Sequence, residues 1–416
     1  MFGNRQANRI SRSLLALGAV ALLLTVAACG SSKKSSTSAS SGSAGSSSSS
    51  SKGPIVIGQA GAQTGFMKIY DGPLYDGMRL AAQQINAKGG LLGGRKIEII
   101  RADSQTSLSQ ARVAAQRLTG QGAAFIVPSC DYDLGGPAAQ VANQKKEVAI
   151  TCAGGPLFGF QGSGPLTFNV FQGSPTEGAV DADFAVKQGW KTAYLLNDTS
   201  LAYTKDVCSN FAKRFAQDGG KVLGQATMQN TDASVSSQVS KLRSSGAQMV
   251  ELCSYPPGGV TALRQIRSAG VKSPIIGAGA FDGTYWTKTV PGISDFYIAG
   301  VGSLNGDDPD PARNQFIKDI TAMTGAPPTS ALYPMSGYEA IQTLADGITQ
   351  AKSTDGPAVA KALETFNNKS LLLGPTTYGP KCHVPVGRQL LIMKYVNGKE
   401  SYLTTIKAGD VPDKTC

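Results

Sequence analysis

The chain has little histidine and lacks the paired cysteines that typically bind zinc. His383 is the only histidine among 416 residues, and the seven cysteines include no Cys-x-x-Cys. Zinc therefore lacks its usual ligand clusters, and acid–base or triad chemistry lacks its most common residue. The sequence also contains no Gly-x-Ser-x-Gly element and no acid pair at catalytic spacing. We expect a protein that needs no metal or cofactor and is not an enzyme.

The chain also lacks a basic run with interleaved aromatic residues, although its formal net charge is +11. Six of the positive charges lie in the first 52 residues, which contain no acid, and this leaves +5 on the rest of the chain. This pattern argues against nucleic-acid binding, and we interpret the remaining charge as a slightly basic, solvated surface.

The N-terminus has the pattern of an export signal. Arg5, Arg9 and Arg12 precede an apolar run over residues 14–26, which is too short to span a bilayer comfortably. Val-Ala-Ala-Cys at residues 26–29 resembles the bacterial lipobox, in which the cysteine is acylated and becomes the new N-terminus. We therefore expect a lipoprotein signal peptide over residues 1–28 and a lipid on Cys29. The alternative is ordinary secretory cleavage after Ala28, with Cys29 unmodified.

A segment of mostly serine, alanine, glycine and lysine follows the lipobox. Such a composition cannot bury enough apolar surface to fold. Residues 29–53 are therefore expected to form a lipidated tether, which lets the body find a membrane partner or spans a cell wall.

The body from residue 54 onward alternates apolar strands with amphipathic helices, which predicts a parallel α/β architecture. The alternation restarts after a break, giving two blocks of similar size over residues 54–171 and 173–302. Residues 311–367 are helix-rich, and residues 386–407 predict an antiparallel strand pair around Asn397-Gly398.

Several segments of the body resemble the leucine/isoleucine/valine-binding protein family. The resembling segments are Gly58 to Gly65 followed by Tyr70, the helix end Ala-Gln-Gln-Ile-Asn-Ala-Lys-Gly-Gly at residues 82–90, Ala-Leu-Arg-Gln-Ile-Arg-Ser-Ala-Gly at residues 262–270, and Leu373-Gly374-Pro375. The likeness runs from about Ile55 to Gly398. It implies a two-lobed type I periplasmic binding-protein fold, with a parallel sheet flanked by helices in each lobe and three hinge crossings.

The resemblance also implies a division of the chain and a function. Lobe 1 is expected to combine residues 54–171 and 303–372, and lobe 2 residues 173–302 and 373–416. The function implied is that of a substrate-binding protein of an ABC importer, monomeric and anchored on the extracytoplasmic face of a bacterial membrane, where it meets the permease subunits. A ligand-sensing module for a signalling receptor is the alternative.

The family's ligand site carries over to this chain only in part. Tyr70, Tyr203 and Tyr255 match family positions in the cleft, where a tyrosine offers an apolar face and one hydroxyl. Packing at the edge of a lobe is the alternative for each tyrosine.

The remaining family positions hold Asp131, Ala153, Gly155 and Asp282 in this chain. Asp131 and Gly155 replace a serine and a threonine that bind the α-carboxylate, and Ala153 retains only a backbone contact. The family's acid for the α-ammonium falls near Gly279, and Asp282 is the nearest substitute.

Asp131 sets the expected charge of the ligand. A carboxylate about 4 Å from Asp131 would cost roughly 4 kcal/mol at an effective dielectric constant of 20, unless Lys68 or a bound cation neutralises the aspartate. We therefore expect a neutral or cationic polar ligand, such as an amide, an amine or a polyol. If Asp131 points away from the cleft, an amino acid or an aromatic acid stays possible.

Six cysteines follow the lipobox, and an even number in an exported protein suggests disulfides. The sequence alone allows fifteen connectivities. In the implied fold Cys130 and Cys152 end neighbouring strands, while Cys208 and Cys253 lie in the first helix and third strand of lobe 2. We therefore expect the pairs Cys130–Cys152, Cys208–Cys253 and Cys382–Cys416.

Overall fold

The computed structural model describes residues 53–155, 158–414 and 416. The predicted signal peptide, the lipidated Cys29 and nearly all of the predicted tether lie outside these residues. Within the described part of the chain, no helix combines the length and the apolar character that crossing a membrane requires.

The first sheet has five parallel strands in the order β2-β1-β3-β4-β5. Its strands are β1 (Ile55–Gly61), β2 (Ile97–Asp103), β3 (Phe125–Pro128), β4 (Val148–Thr151) and β5 (Thr167–Asn169). The helices between them are α1 (Lys68–Ala87), α2 (Leu108–Gly120), α3 (Tyr132–Gln144) and the short α4 (Phe160–Ser163). The central strands are buried almost throughout because helices cover both faces of a parallel sheet.

The second sheet contains five parallel strands and a final antiparallel pair. The parallel strands are β6 (Thr192–Asp198), β7 (Lys221–Met228), β8 (Met249–Cys253), β9 (Ile275–Gly277) and β10 (Phe296–Gly300). The associated helices are α5 (Ser174–Lys187), α6 (Ala202–Gln217), α7 (Ser236–Ser245) and α8 (Gly258–Ser268), with short 3-10 turns at Gly279–Phe281 and Thr287–Thr289.

The chain then returns to the first lobe. It forms α9 (Pro311–Thr324), α10 (Leu332–Ala351), α11 (Gly356–Leu363) and the small ribbon of β11 (Lys369–Leu371) and β12 (Gly374–Thr376). Helices α1 and α10 approach closely: a Cβ on Gly77 would lie 1.8 Å from the Pro334 carbonyl oxygen, and one on Gly337 would lie 1.9 Å from that of Leu74. Only glycine allows this backbone contact at either position.

The last two strands, β13 (Gln389–Val396) and β14 (Lys399–Lys407), complete the second sheet in the order β14-β13-β10-β9-β8-β6-β7. The predicted antiparallel pair is confirmed, with Asn397 and Gly398 both at positive φ in the two-residue turn. The chain thus passes between the sheets three times, after β5, after β10 and before β13, as the two-lobed type I fold requires.

The segment between β12 and β13 contacts the first sheet. The Tyr378 hydroxyl donates to the Asn169 carbonyl oxygen at 2.9 Å, and the His383 ring stacks on Phe168 with centroids 3.8 Å apart. The division into lobes stays a prediction, and these contacts indicate that its last boundary lies nearer residue 388 than 373.

The structure pairs the six cysteines as expected from the sequence. The Cα atoms are 4.9 Å apart in Cys130–Cys152, 5.7 Å in Cys208–Cys253 and 5.2 Å in Cys382–Cys416. The first pair joins the residues that follow β3 and β4, and the second ties helix α6 to the end of β8. Both pairs therefore cross-link the part of each lobe where the sheet ends.

Candidate ligand-binding site

A cavity lies between the two lobes, where parallel strands of both sheets end. Residues after β3 and β4 line one side, and residues after β6, β8 and β9 line the other. Open parallel sheets place ligands at the carboxyl ends of their strands. The lining is mostly apolar or aromatic and includes Met67, Tyr70, Phe171, Leu201, Tyr203, Tyr255, Leu332 and Tyr333.

The three tyrosines predicted from the sequence all line this cavity. Tyr70 lies in the first turn of α1 and donates its hydroxyl to the Pro256 carbonyl oxygen at 3.1 Å. Tyr203 lies in the first turn of α6. Tyr255 follows β8, and its ring stacks on Phe66 at 5.7 Å. Burial raises the pKa of all three hydroxyls, so they stay protonated donors.

A fourth tyrosine, Tyr333, was not found from the sequence. It lies in the first turn of α10, and its ring centroid is 4.8 Å from that of Tyr70. Its helix comes more than 260 residues after Tyr70, and no motif in the sequence links the two positions.

Asp131 lines the cavity and also caps a helix. It is the N-cap residue of α3, and its Oδ1 accepts from the Leu134 backbone N–H at 2.9 Å. Burial raises the pKa of this carboxyl to about 7; Asp133 and Asp71 add to the rise, and the Leu134 N–H opposes it. Burial therefore moves the titration of this carboxyl group into the neutral pH range.

Glu177 is a second carboxyl beside the cavity that sequence reasoning missed. Its Oε1 accepts from the Tyr203 hydroxyl at 2.7 Å and from the Gly279 N–H at 2.8 Å. Burial raises its pKa to about 7, against the effect of these two hydrogen bonds. Glu177 thus brings a carboxyl group to the place where the family's acid was expected, but from the first turn of α5. Acids are common in the first turns of helices, so Glu177 has no specific sequence signal.

Three predicted site residues do not reach the cavity. The Ala153 carbonyl oxygen accepts from Asn169 Nδ2 at 2.9 Å, and the Cβ position of Gly155 lies against the Tyr132 ring. Asp282 turns toward α10, where its Oδ2 accepts from the N–H groups of Ala331 at 2.6 Å and Leu332 at 2.7 Å. Gly154, between two of the predicted positions, lines the cavity instead.

Lys68, the predicted source of positive charge, is exposed and does not line the cavity. Among the residues that the structure describes, no group of three or more His, Cys, Asp or Glu side chains is arranged to hold a metal ion.

The lobes touch each other around the cavity. The Ala202 N–H at the start of α6 donates to Asp133 Oδ2 at 2.7 Å, and the Tyr70 hydroxyl reaches Pro256. Both hydrogen bonds join residues of different lobes, so the structure shows the lobes closed on the cavity.

A two-lobed fold closed over an interlobe cavity defines the class of periplasmic-type binding proteins. The family model described as periplasmic binding protein matches residues 54–400. The chain belongs to this family, which confirms the predicted family and fold, a solute-binding role outside the cytoplasm, and the expectation that it is not an enzyme.

The chain is similar to several curated proteins over most of its length. It is 27% identical over 334 residues to Leu/Ile/Val-binding protein homolog 3 of Brucella melitensis, covering 78% of this chain and 87% of that protein. It is 26% identical over 324 residues to a leucine-, isoleucine-, valine-, threonine-, and alanine-binding protein of Pseudomonas aeruginosa, covering 77% and 85%.

Solved structures show the same fold at lower identity. The branched-chain amino acid transporter substrate binding protein of Streptococcus pneumoniae, in complex with isoleucine, has a TM-score of 0.75 at 19% identity, covering 85% of this chain and 99% of that one. A solute binding protein from R. palustris in complex with benzoate has a TM-score of 0.73 at 19% identity, covering 87% and 99%.

Proposed function

We propose that the chain is the lipid-anchored, extracytoplasmic substrate-binding protein of an ABC importer of the branched-chain amino acid type. It captures a small polar solute by hinged closure and delivers it to the permease subunits. The observation that carries the proposal is the interlobe cavity, lined from both sheets and bounded by hydrogen bonds between the lobes. The likeness to amino-acid-binding proteins of Brucella melitensis and Pseudomonas aeruginosa supports the transport role.

The anchor is proposed from the lipobox-like residues 26–29 and from the tether composition. We expect bacteria that express the full chain to incorporate an alkyne-labelled fatty acid into it, and Cys29→Ala to abolish the label and release the protein from the membrane. Equal labelling of both proteins would refute the anchor without affecting the binding role.

Closure is expected to depend on Asp133. Leu201, the N-cap residue of α6, has no side chain that caps the helix, and the Ala202 N–H finds its acceptor on the other lobe. A helix cap is worth about 1 kcal/mol, and this one forms only when the lobes close. We therefore expect Asp133→Ala to weaken solute binding about fivefold by calorimetry, with the solute first identified by native mass spectrometry of the purified protein.

Asp355 provides a matched control for this substitution. It caps α11 within one lobe, accepting from the Ala358 N–H at 3.1 Å. Asp355→Ala is expected to reduce stability and leave solute affinity unchanged. Small-angle scattering of wild type should show compaction on adding the solute. Chemical turnover of that solute, or equal affinity losses in the two variants, would contradict hinged capture.

A further inference from the structure

The charge around the cavity is one-sided. Asp131 is the only side chain with a formal charge among the described residues that line it, and Glu177 lies directly behind Tyr203. No lysine, arginine or histidine of the described residues belongs to the lining. A ligand with a carboxylate would therefore find no cationic side chain there, whereas a cation would find Asp131.

Three of the helix starts at the cavity each hold one of the protein's own carboxylates. Backbone N–H groups at a helix start are a common binding site for anions. Asp131 accepts at the start of α3, Asp133 at the start of α6 and Asp282 at the start of α10. These three helices carry the lining residues Asp131, Leu201 and Leu332 at their first positions. An anionic group of a ligand at one of these three starts would therefore lie close to a carboxyl group of the protein.

The aromatic lining supplies ring surface more than free hydroxyl groups. The Tyr70 and Tyr203 hydroxyls donate to Pro256 and Glu177, so a ligand meets mainly the rings of these residues. Tyr333 adds a third ring beside Tyr70, and Tyr255 adds a fourth. The faces of such rings attract organic cations, most strongly where water is excluded.

We propose that the cavity binds a small organic cation, with an ammonium group against Asp131 and short apolar substituents among the rings of Tyr70, Tyr203, Tyr255 and Tyr333. This inference rests on the proposed function, since it names the solute class of the same site. It departs from the amino acids bound by the relatives, because a carboxylate placed at any of these three helix starts would lie close to an aspartate.

Four compounds that all contain a 3-methylbutyl chain test the inference by calorimetry. They are 3-methylbutylamine, a cation; 3-methylbutan-1-ol, which is neutral; 4-methylpentanoate, an anion; and leucine, a zwitterion. Two unit charges about 4 Å apart at a dielectric constant of 20 correspond to roughly a thousandfold in affinity, and desolvation of the ammonium removes part of it. We expect the amine to bind at least tenfold more tightly than the alcohol, with the anion the weakest of the four.

The variant Asp131→Asn tests whether the charge of Asp131 causes the preference for the amine, without disturbing the fold. Asparagine caps helices as well as aspartate does, so α3 should keep its N-cap. The variant is expected to lose the preference of the amine over the alcohol, with alcohol affinity within threefold of wild type. Tighter binding of leucine or 4-methylpentanoate than of the amine, or no binding by the amine, would overturn the inference. The binding role itself would fail by another result, namely a purified protein that retains no solute and never compacts in scattering.

Discussion

Replacing Arg388 with methionine is expected to lower the free energy of unfolding by about 3–5 kcal/mol. Arg388 and Glu339 are both buried, and Nη2 of the arginine lies 2.5 Å from Oε1 of the glutamate. The same guanidinium donates to the Val170 carbonyl oxygen at 2.7 Å and the Pro375 carbonyl oxygen at 3.2 Å. Removing one member of a buried pair leaves the other without compensation, and this accounts for the size of the loss. Urea unfolding followed by circular dichroism measures it.

Two further variants show whether the buried charge is the cause. Adding Glu339→Gln to Arg388→Met removes the unpaired carboxylate and should recover a large part of the loss. The exposed pair of Lys369 with Asp346, 3.0 Å apart, is the matched control, and Lys369→Met should cost below about 1 kcal/mol. Similar losses of unfolding free energy in the Arg388 and Lys369 variants would show that burial of the Arg388 charge pair does not cause the loss. Arg388 contacts Val170, next to the first crossing between the lobes, and itself lies next to the third. We therefore expect its loss to weaken the hinge.

The parts of the fold that local patterns determine were predicted from the sequence. The alternation of buried strands and helices gives a parallel sheet in each lobe, because such strands need cover on both faces. Asn397-Gly398 predicts the last hairpin, since both residues tolerate the positive φ that its turn requires.

The cavity was harder to predict because residues far apart in the sequence form it. Tyr70, Tyr203 and Tyr255 were found because each follows a strand in a segment that resembles the family. Tyr333 comes from a helix that reaches the cavity only through the close contact of α1 with α10.

Asp282 shows a different limit of sequence reasoning. It stands three residues from Gly279, which seemed enough to bring its carboxyl to the cleft. The 3-10 turn at Gly279–Phe281 instead directs it to the start of α10. The direction of a side chain depends on local turns of this kind. The spacing of residues along the chain does not specify these turns.

Binding of 3-methylbutylamine is expected to strengthen by roughly a hundredfold between pH 5 and pH 8. Burial raises the pKa of Asp131 to about 7, far above its ordinary value. Alkyl amines, like lysine, stay protonated over this range. Because only the ionised carboxyl attracts the cation, the apparent association constant falls about tenfold for each pH unit below the pKa. Calorimetry at four pH values gives the slope.

The sign of this dependence identifies the charge of the ligand group at Asp131. A cation lowers the pKa of Asp131 on binding and releases a proton, so affinity rises with pH until about 7 and then levels off. A carboxylate ligand needs the protonated form and would lose affinity over the same interval. The groups that face Asp131 are Asp133 on its own helix, Asp71 and Tyr70 on α1, and Tyr255 after β8.

Two variants show whether Asp131 or Glu177 is responsible for the pH dependence of amine binding. Burial raises the pKa of Glu177 to about 7 as well, so this carboxyl titrates in the same window from behind Tyr203. Asp131→Asn should make amine affinity nearly independent of pH, whereas Glu177→Gln should keep most of the slope. If Glu177→Gln removes the pH dependence and Asp131→Asn keeps it, the carboxyl group that pairs with the cation is that of Glu177. Affinity for 4-methylpentanoate that falls with rising pH, without a matching gain for the amine, would instead mean that the site binds an anion, with Asp131 protonated.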